Sequence, residues 1–278
     1  MPPDVLYKYL PPARVDVLQN LKIRFTQVSA LNDPFESLPG VTLEREEWYR
    51  SYYKQRIVRE LLSLGPLSRQ ERRAHERSRW KGFAHFLNCY TDKKWLSELS
   101  EKVQRMGDTV HGVLSLSANC TNILMWSHYC MNHTGFVLGF DTQHEFFGRS
   151  VSPVTYSHTR PRINPFEAKH SGDLFYTKSV DWEYEQEYRK FMGFVAPEPL
   201  DNGNQLLPFE ESKQQKPPNN EIKLFAVPPD SIRCVVLGWK SSTELRDQIL
   251  LALQAHNLSE VLVLKAVPSL TEYKMDVA

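Results

Sequence analysis

The stretch IRCVVLGWKSSTELRDQILLALQAHNLSEVLVLKAV (residues 232–267) decides the predicted fold class. Its two ends, IRCVVLGW and SEVLVLKAV, are short runs of aliphatic and β-branched residues, which are typical of buried strands. The segment between them, STELRDQILLALQAHN, has the spacing of an amphipathic helix, and Ser242 or Thr243 can cap its first turn. A strand, a helix and a second strand in succession predict a core shared by helices and strands.

Further strands are predicted earlier in the chain, over DVLYKY (4–9), KIRFTQV (22–28), HGVLSLSA (111–118) and TGFVLGFD (134–141). Residues 44–106 have helical spacing and predict an inserted block of helices. Residues 196–220 are rich in proline and polar residues, which predicts a mobile surface loop. We therefore expect a single α+β domain over residues 1–278.

The composition of the 278 residues excludes several classes of protein. The formal net charge of +1 argues against a chain-wide surface for a polyanion, although a local basic patch is compatible with it. No run approaches the roughly 20 apolar residues of a membrane span, so no membrane partner is expected. The four cysteines form no C-x-x-C pair. We expect free thiols, a cytoplasmic location and no metal site.

The segment SVDWEYEQEYRKF (179–191) alternates aromatic and charged residues. As a strand, it would place Trp182, Tyr184 and Tyr188 on one face, and that face should be buried. The opposite face would carry Glu183, Glu185, Glu187 and Arg189, with Arg189 able to neutralise Glu187. A solvated edge is the interpretation that spacing alone favours, and a catalytic cleft is the alternative.

Two other predicted strands carry polar candidates. Ser115 and Ser117 share one face of VLSLS, which is compatible with a polar cleft or with a half-exposed strand. Lys8 in LYKY can sit over a phosphate or a ribose, or can lie along the surface.

The segment MWSHYCMNHTGF (125–136) adds rings that either stack on a planar ligand or anchor the core, namely Trp126 and Tyr129. His128 can likewise be a core histidine, and its five-residue spacing from His133 is not that of a helical metal site. The turn LNDPFES offers Asn32, Asp33 and Glu36 as a ligand clamp or as ordinary turn residues.

A basic run lies in a helix predicted over SRQERRAHERSRWKGFAHFL (68–87), where Ser68 and Glu71 have the spacing of a capping box. It either docks a nucleic-acid backbone or is a solvated helix face with internal ion pairs. The candidate nucleic-acid contacts are Arg69, Arg72, Arg73, Arg77, Arg79 and Lys81.

Six motifs occur in an order that resembles a bacterial domain family of unknown function. The helical block and the proline-rich loop are less typical of that family, and its name implies no reaction. The motifs are LYKY (6–9), NDPFE (32–36), LMWSHY (124–129), GFVLGFD (135–141), DWEYEQEYR (181–189) and CVVLGWKSS (234–242).

Three shorter motifs are similar to those of the ADP-ribosyltransferases. Lys8 stands where that superfamily has a basic residue on the first strand, although Arg or His is usual there. Ser115-Leu116-Ser117 matches its serine-containing strand, and Glu185-Gln186-Glu187 matches its late E-x-E. The resemblance implies a short-stranded split β core, here with an inserted helical block.

The same resemblance implies that the protein transfers ADP-ribose from NAD to a nucleic acid or a protein, and we expect a bacterial toxin or anti-phage effector. Whether an antitoxin or chaperone is a further partner is left open by the sequence. Glu187 would bind the ribose 2′-hydroxyl and stabilise the oxocarbenium-like state, while Glu185 lies nearer the acceptor. The residues expected to bind NAD are Tyr7, Lys8, Ser115, Ser117, Trp126, His128 and Tyr129.

Two other functions are compatible with these residues. One is a binding module without enzymatic activity, in which the basic helix and the glutamate row contact a nucleic acid or protein. The other is a metal-dependent nuclease of a defence system that uses Asp33, Glu36 and the glutamate row.

Overall fold

The structure is a computed structural model that describes residues 2–41, 45–89, 92–147, 150–164, 172–194 and 222–278. The loop predicted at 196–220 lies outside the described residues. Within these ranges the helices are α1 Asp16–Asn20, α2 Glu46–Ser63, α3 Arg69–Cys89, α4 Lys93–Val110, α5 Ile123–Tyr129, α6 Asp173–Tyr176 and α7 Thr243–Ala255.

The strands of the described ranges are β1 Val5–Leu10, β2 Lys22–Phe25, β3 Gly40–Val41, β4 His111–Ser117, β5 Phe136–Asp141, β6 Val151–Pro153, β7 Thr155–Ser157, β8 Arg162–Ile163, β9 Thr177–Ser179, β10 Glu187–Gly193, β11 Lys223–Ala226, β12 Ile232–Leu237, β13 Leu262–Pro268 and β14 Met275–Val277.

The architecture is a mixed fold of a multi-stranded sheet and several helices, which agrees with the predicted fold at the level of class. Among the described residues, eight strands form the main sheet in the order β14-β13-β12-β5-β1-β4-β10-β6. Residues 232–267 form β12, α7 and β13, and the two strands pair in parallel. Ser242 caps α7 by accepting a hydrogen bond from Leu245 N.

The sheet separates two apolar layers because successive side chains of a strand point to opposite faces. On one face, Leu6, Leu138 and Val235 belong to a core that includes residues of α1 and α7. On the other face, Tyr9 and Val137 pack with the side chains of α5. This second layer fixes the position of α5 against the sheet.

Helix α5 is held at both ends. At its start, the Asn122 side chain accepts hydrogen bonds from Leu124 N and Met125 N. After its end, Met131, Asn132 and His133 adopt positive φ values of 49°, 56° and 69°. This turn is tied to the loop after β12, where Lys240 N donates to His133 O at 2.9 Å.

Helices α2, α3 and α4 surround an aromatic cluster of their own. Tyr49, Phe83 and Phe86 are buried at its centre. The N-terminal end of α3 has the predicted capping box, in which Ser68 N donates to Glu71 and Glu71 N donates to the Ser68 hydroxyl. No helix in the described ranges has the length and apolar character that crossing a membrane requires.

Candidate functional site

A cleft opens where β1 and β4 separate. The two strands are registered at a single residue pair, Tyr7 opposite Ser117. Farther along β4, Val113 exchanges both backbone hydrogen bonds with Thr26 instead. Between these points the Ser115 carbonyl accepts a hydrogen bond from Lys8 Nζ at 2.9 Å. The lysine thereby satisfies a backbone acceptor that the separated strands leave open.

Strand β10 lies on the other side of β4 and brings residues 179–191, the acidic stretch, to this cleft. In the antiparallel register, Glu187 is opposite Ser117 and Arg189 is opposite Ser115. Residues opposite one another point to the same face of a sheet. Tyr7, Ser117 and Glu187 therefore form one row across three strands.

The predicted strand over residues 179–191 is wrong in its first half. Residues Val180–Glu185 form a 3-10 helix, Gln186 has a positive φ of 45°, and the strand starts only at Glu187. Ser179 caps the 3-10 helix by accepting from Asp181 N, and this local hydrogen bond competes with strand pairing.

The predicted burial of the two faces is also wrong. Glu185 and Glu187 are each only 4% exposed, whereas Trp182, Tyr184 and Tyr188 are only partly buried. Hydrophobicity predicted the reverse, because unpaired buried carboxylates would be very costly. Cationic partners remove most of that cost here.

Arg189 is the first of these partners and is fully buried. Its Nε donates to Glu187 Oε1 at 2.8 Å, and its Nη2 donates to Glu187 Oε2 at 3.0 Å. The predicted neutralisation of Glu187 by Arg189 is confirmed. The same guanidinium makes a two-pronged contact with Glu36 of the NDPFE turn, at 2.6 and 2.9 Å.

Lys178, on β9, is the second partner. Its Nζ donates to Glu185 Oε2 at 2.5 Å and to Glu187 Oε2 at 3.2 Å, and the side chain lies over the Trp182 ring. Burial opposes the charge of Lys178, but the two carboxylates outweigh burial and raise its pKa. Lys178 is thus a buried, protonated bridge between the glutamates.

The charge state of Glu187 follows from these contacts. Burial alone would raise the pKa of its carboxyl, but Arg189 and Lys178 overcome burial and lower the pKa to about 2. The carboxylate is therefore ionised throughout the physiological pH range. Its backbone N–H donates to the Tyr156 hydroxyl at 2.8 Å, which fixes the start of β10.

Glu185 is held by hydrogen bonds from α5 and from β4. Its Oε1 accepts a short hydrogen bond from the Tyr129 hydroxyl, and that hydroxyl accepts from Asn32 Nδ2 at 2.7 Å. The Ser117 hydroxyl donates to the Glu185 carbonyl at 2.6 Å. Burial, followed by the charge of Glu185, raises the pKa of Tyr129. Tyr129 is therefore a neutral hydrogen-bond donor at physiological pH.

Lys8 differs from the other two cations. Burial lowers the pKa of its amine to about 8, although Glu187 and Glu185 act in the opposite direction. A lysine of this kind changes charge just above neutral pH, which is uncommon outside functional sites.

The cleft is a cavity of about 100 Å³. It brings together most of the residues that the sequence analysis selected as catalytic or NAD-binding. Those that line it are Tyr7, Lys8, Ser115, Ser117, Tyr129, Glu185 and Glu187.

Two selected residues do not line the cleft. Trp126 is fully buried, packs edge-on against Tyr9 with ring centres 5.4 Å apart, and donates to Cys120 O. It is a core anchor, because no face of its ring is open to a ligand. His128 is exposed, and its Nδ1 lies 3.0 Å from the Tyr184 hydroxyl. The predicted stacking role of Trp126 and the NAD-binding role of His128 are not supported by this placement.

Lys178 and Tyr156 are site residues that the sequence analysis missed. Lys178 precedes Glu185 by seven residues, with a 3-10 helix between them, so no strand or helix period relates the two. Tyr156 reaches Glu187 because β6 pairs with β10 and Val154 N donates to Glu187 O at 2.9 Å, and nothing in the local sequence indicates that pairing.

The carboxylates are not arranged as metal ligands. Glu36 and Glu187 share the Arg189 guanidinium, and Glu185 and Glu187 share the Lys178 ammonium. In the described part of the chain, no group of three or more His, Cys, Asp and Glu side chains is placed to hold a metal ion. This charge pairing disfavours the metal-dependent nuclease.

The basic residues of α3 separate into two sets. Arg79 pairs with Glu60 of α2 at 2.8 Å, which is a pair between two helices and not the predicted pair within α3. The other candidates are exposed, namely Arg69, Arg72, Arg73, Arg77 and Lys81.

Comparison with known proteins finds similarity over part of the chain. No curated protein and no solved structure matches it. A family model does match residues 125–190, which include MWSHY and the acidic stretch but neither Lys8 nor the NDPFE turn. This match agrees with the predicted resemblance to a bacterial domain family of unknown function. Over those residues, about a quarter of its length, the chain is similar to the family described as "Protein of unknown function (DUF2971)".

Proposed function

We propose that this protein cleaves the nicotinamide–ribose bond of NAD and transfers ADP-ribose to a macromolecule. The observation that carries the proposal is the convergence of Glu185, Ser117 and Lys8 on one cleft. These residues come from three separate segments, in the order that suggested the ADP-ribosyltransferase resemblance.

The chemistry requires a carboxylate near the ribose. As the C1′–N bond breaks, its electron pair leaves with nicotinamide and positive charge grows on C1′ and the ring oxygen. The acceptor then forms a new bond to C1′ and loses a proton. A preorganised anion in a buried cleft stabilises that positive charge without reorganising.

Hydrogen-bond capacity favours Glu185 over Glu187 for contact with the ribose. A carboxylate has about four lone-pair sites. Among the described residues, Glu187 accepts from two nitrogens of Arg189 and from Lys178, which occupies three of these sites. Glu185 accepts from Tyr129 and Lys178 and retains capacity for a ribose hydroxyl. Glu187 then acts as the fixed negative charge behind it, which exchanges the roles predicted from the sequence.

Tyr7, Tyr129 and Lys8 complete the site. The two tyrosines offer aromatic surface for the nicotinamide ring, and Lys8 at the strand separation meets the ribose or a phosphate. Tyr129 also orients the Glu185 carboxylate through its hydrogen bond.

A nucleic acid is the acceptor that the surface favours. Arg69, Arg73, Arg77 and Lys81 recur every four residues along α3 and therefore lie roughly along one side of it, about 6 Å apart along the axis. Such a row of exposed cations suits a phosphate backbone. Because uncontrolled modification of nucleic acid or loss of NAD harms a cell, we further propose that the protein is a bacterial toxin or anti-phage effector.

The test is incubation of the purified protein with NAD labelled in the adenylate part and with bacterial extract. We expect label in a nuclease-sensitive macromolecule and release of nicotinamide. Label in a protease-sensitive product instead would identify a protein acceptor. Glu185→Gln should reduce nicotinamide release at least about 100-fold. Its control, Glu183→Gln, changes an exposed carboxylate two residues away and should keep full activity.

The exposed row on α3 also favours a second candidate, a nucleic-acid-binding module without enzymatic activity. That function predicts salt-sensitive binding of RNA or DNA, no release of nicotinamide, and no effect of Glu185→Gln on binding. If the wild-type protein releases nicotinamide and Glu185→Gln abolishes that release, the non-enzymatic binding module is excluded.

A further inference from the structure

A second pocket, of about 290 Å³, adjoins the cleft. Lys178 lines both cavities, and the consecutive residues Asn32 and Asp33 line one each. Lys178 on β9 therefore forms part of the boundary between them.

The sizes of the two cavities are compatible with a ligand that spans both of them. Pockets for ligands larger than a single ring typically measure about 300 to 1,000 Å³. The cleft of about 100 Å³ is too small for a dinucleotide, but it has room for one ring-sized group. Only together do the cleft and the adjoining pocket reach the typical range.

The lining of the second pocket suits an anion. Arg160 is exposed at its rim, with the guanidinium carbon 5.6 Å from the centre of the Phe35 ring. This contact holds the cation over the pocket. The Ser157 hydroxyl adds a hydrogen-bonding group, whereas the Ser179 hydroxyl opposite it in the β7–β9 pair donates to Asp181 Oδ2 at 2.6 Å.

One acidic residue, Asp33, also lines the second pocket. It is 4% exposed, and its Oδ1 accepts a hydrogen bond from Phe35 N at 2.9 Å. That contact directs the carboxylate to the backbone of its own turn. Because Lys178 is shared by Glu185 and Glu187, Arg160 is the cation that the described lining offers to an anion.

We infer that the second pocket binds the pyrophosphate of a dinucleotide whose nicotinamide–ribose end occupies the cleft. Arg160 is the main phosphate contact, because its guanidinium can donate two hydrogen bonds to phosphate oxygens. The inference rests on the proposed NAD substrate. It assigns the binding of the non-reacting half of that substrate to residues outside the cleft.

The test is calorimetric titration of the full-length protein with ADP-ribose and, separately, with nicotinamide. Arg160→Gln should weaken ADP-ribose binding about tenfold and leave nicotinamide binding unchanged. Arg162→Gln is the matched control, since Arg162 is an exposed arginine two residues away that does not line the pocket. Wild-type affinity for ADP-ribose in Arg160→Gln, with an unchanged thermal unfolding temperature, would overturn the inference.

Steady-state kinetics separate this inference from the proposed function. In Arg160→Gln the KM for NAD should rise about tenfold with kcat nearly unchanged, because Arg160 contacts the part of the substrate that does not react. NAD turnover with the same KM in this variant would reject the pocket and retain the enzyme. Arg160-dependent binding of ADP-ribose by a protein that does not cleave NAD would retain the pocket and reject the enzyme.

Discussion

The ion pairs of Glu187 should make the stability of the protein depend on pH in a defined window. In the folded protein the pKa of this carboxyl is about 2, against an ordinary value of 4.5. Between those pH values the unfolded chain binds more protons than the folded one. The stabilisation is therefore complete above about pH 4.5 and is lost as the pH falls toward 2.

The size of the effect follows from the same values. Each pKa unit corresponds to about 1.4 kcal/mol, so the contribution of Glu187 amounts to about 3 kcal/mol. It is this large because the carboxylate is 4% exposed and pairs with both Arg189 and Lys178.

Urea unfolding at several pH values between 2.5 and 7 measures this contribution. Other carboxyl groups titrate in the same range, so the relevant quantity is the difference in unfolding free energy between wild type and Glu187→Gln. That difference should shrink by most of 3 kcal/mol on going from pH 7 to pH 2.5. The difference between wild type and Glu183→Gln, which changes an exposed carboxylate, should stay flat. A Glu187→Gln difference that does not vary with pH would refute the charge network.

Three further predictions concern the cleft and the helical surface. Because the pKa of Lys8 is about 8, affinity for NAD should fall as the pH rises through 8. Lys8→Met should lower the affinity at pH 7 and abolish this pH dependence. A pH dependence that survives the substitution would assign the titration to another group. Tyr129→Phe removes the hydrogen bond to Glu185 and leaves Asn32 without its acceptor. We expect a loss of about 1–2 kcal/mol in unfolding free energy and a lower kcat. An unchanged unfolding free energy and an unchanged kcat would contradict the assigned geometry. The double variant Arg73→Gln/Arg77→Gln should weaken binding of single-stranded RNA, measured by fluorescence anisotropy, and reduce the slope of log K against log salt by about 1.4. An unchanged slope would show that α3 does not contact the RNA backbone.

The buried charge network is an expensive feature for the fold to keep. Removing charges such as Glu36, Arg189 and Glu187 from water costs several kcal/mol for each ion, and replacement by apolar residues often leaves a protein equally stable. Stability alone therefore does not account for the network. It lies directly beside the cleft, where it holds one carboxylate charged and another in place.

The secondary structure was largely readable from the sequence because its signals are local. The strand–helix–strand unit at residues 232–267 appeared as β12, α7 and β13, and the capping box of α3 formed between Ser68 and Glu71. The acidic stretch was misread because the alternation of aromatic and charged residues fits a strand. The Ser179 cap and the left-handed Gln186 turned its first half into a 3-10 helix.

Local sequence patterns identify the residue types that are available to the candidate site. The strand period of two identifies the serine pair and the two glutamates as candidates, and the resemblance to the ADP-ribosyltransferases adds Lys8. The burial of the glutamates and the position of Trp126 outside the cleft depend on tertiary contacts. The burial of a charge depends on which cations reach it. Arg189 is two residues from Glu187 on the same strand, as the strand period predicts, whereas Lys178 reaches Glu187 from β9, which no local pattern encodes.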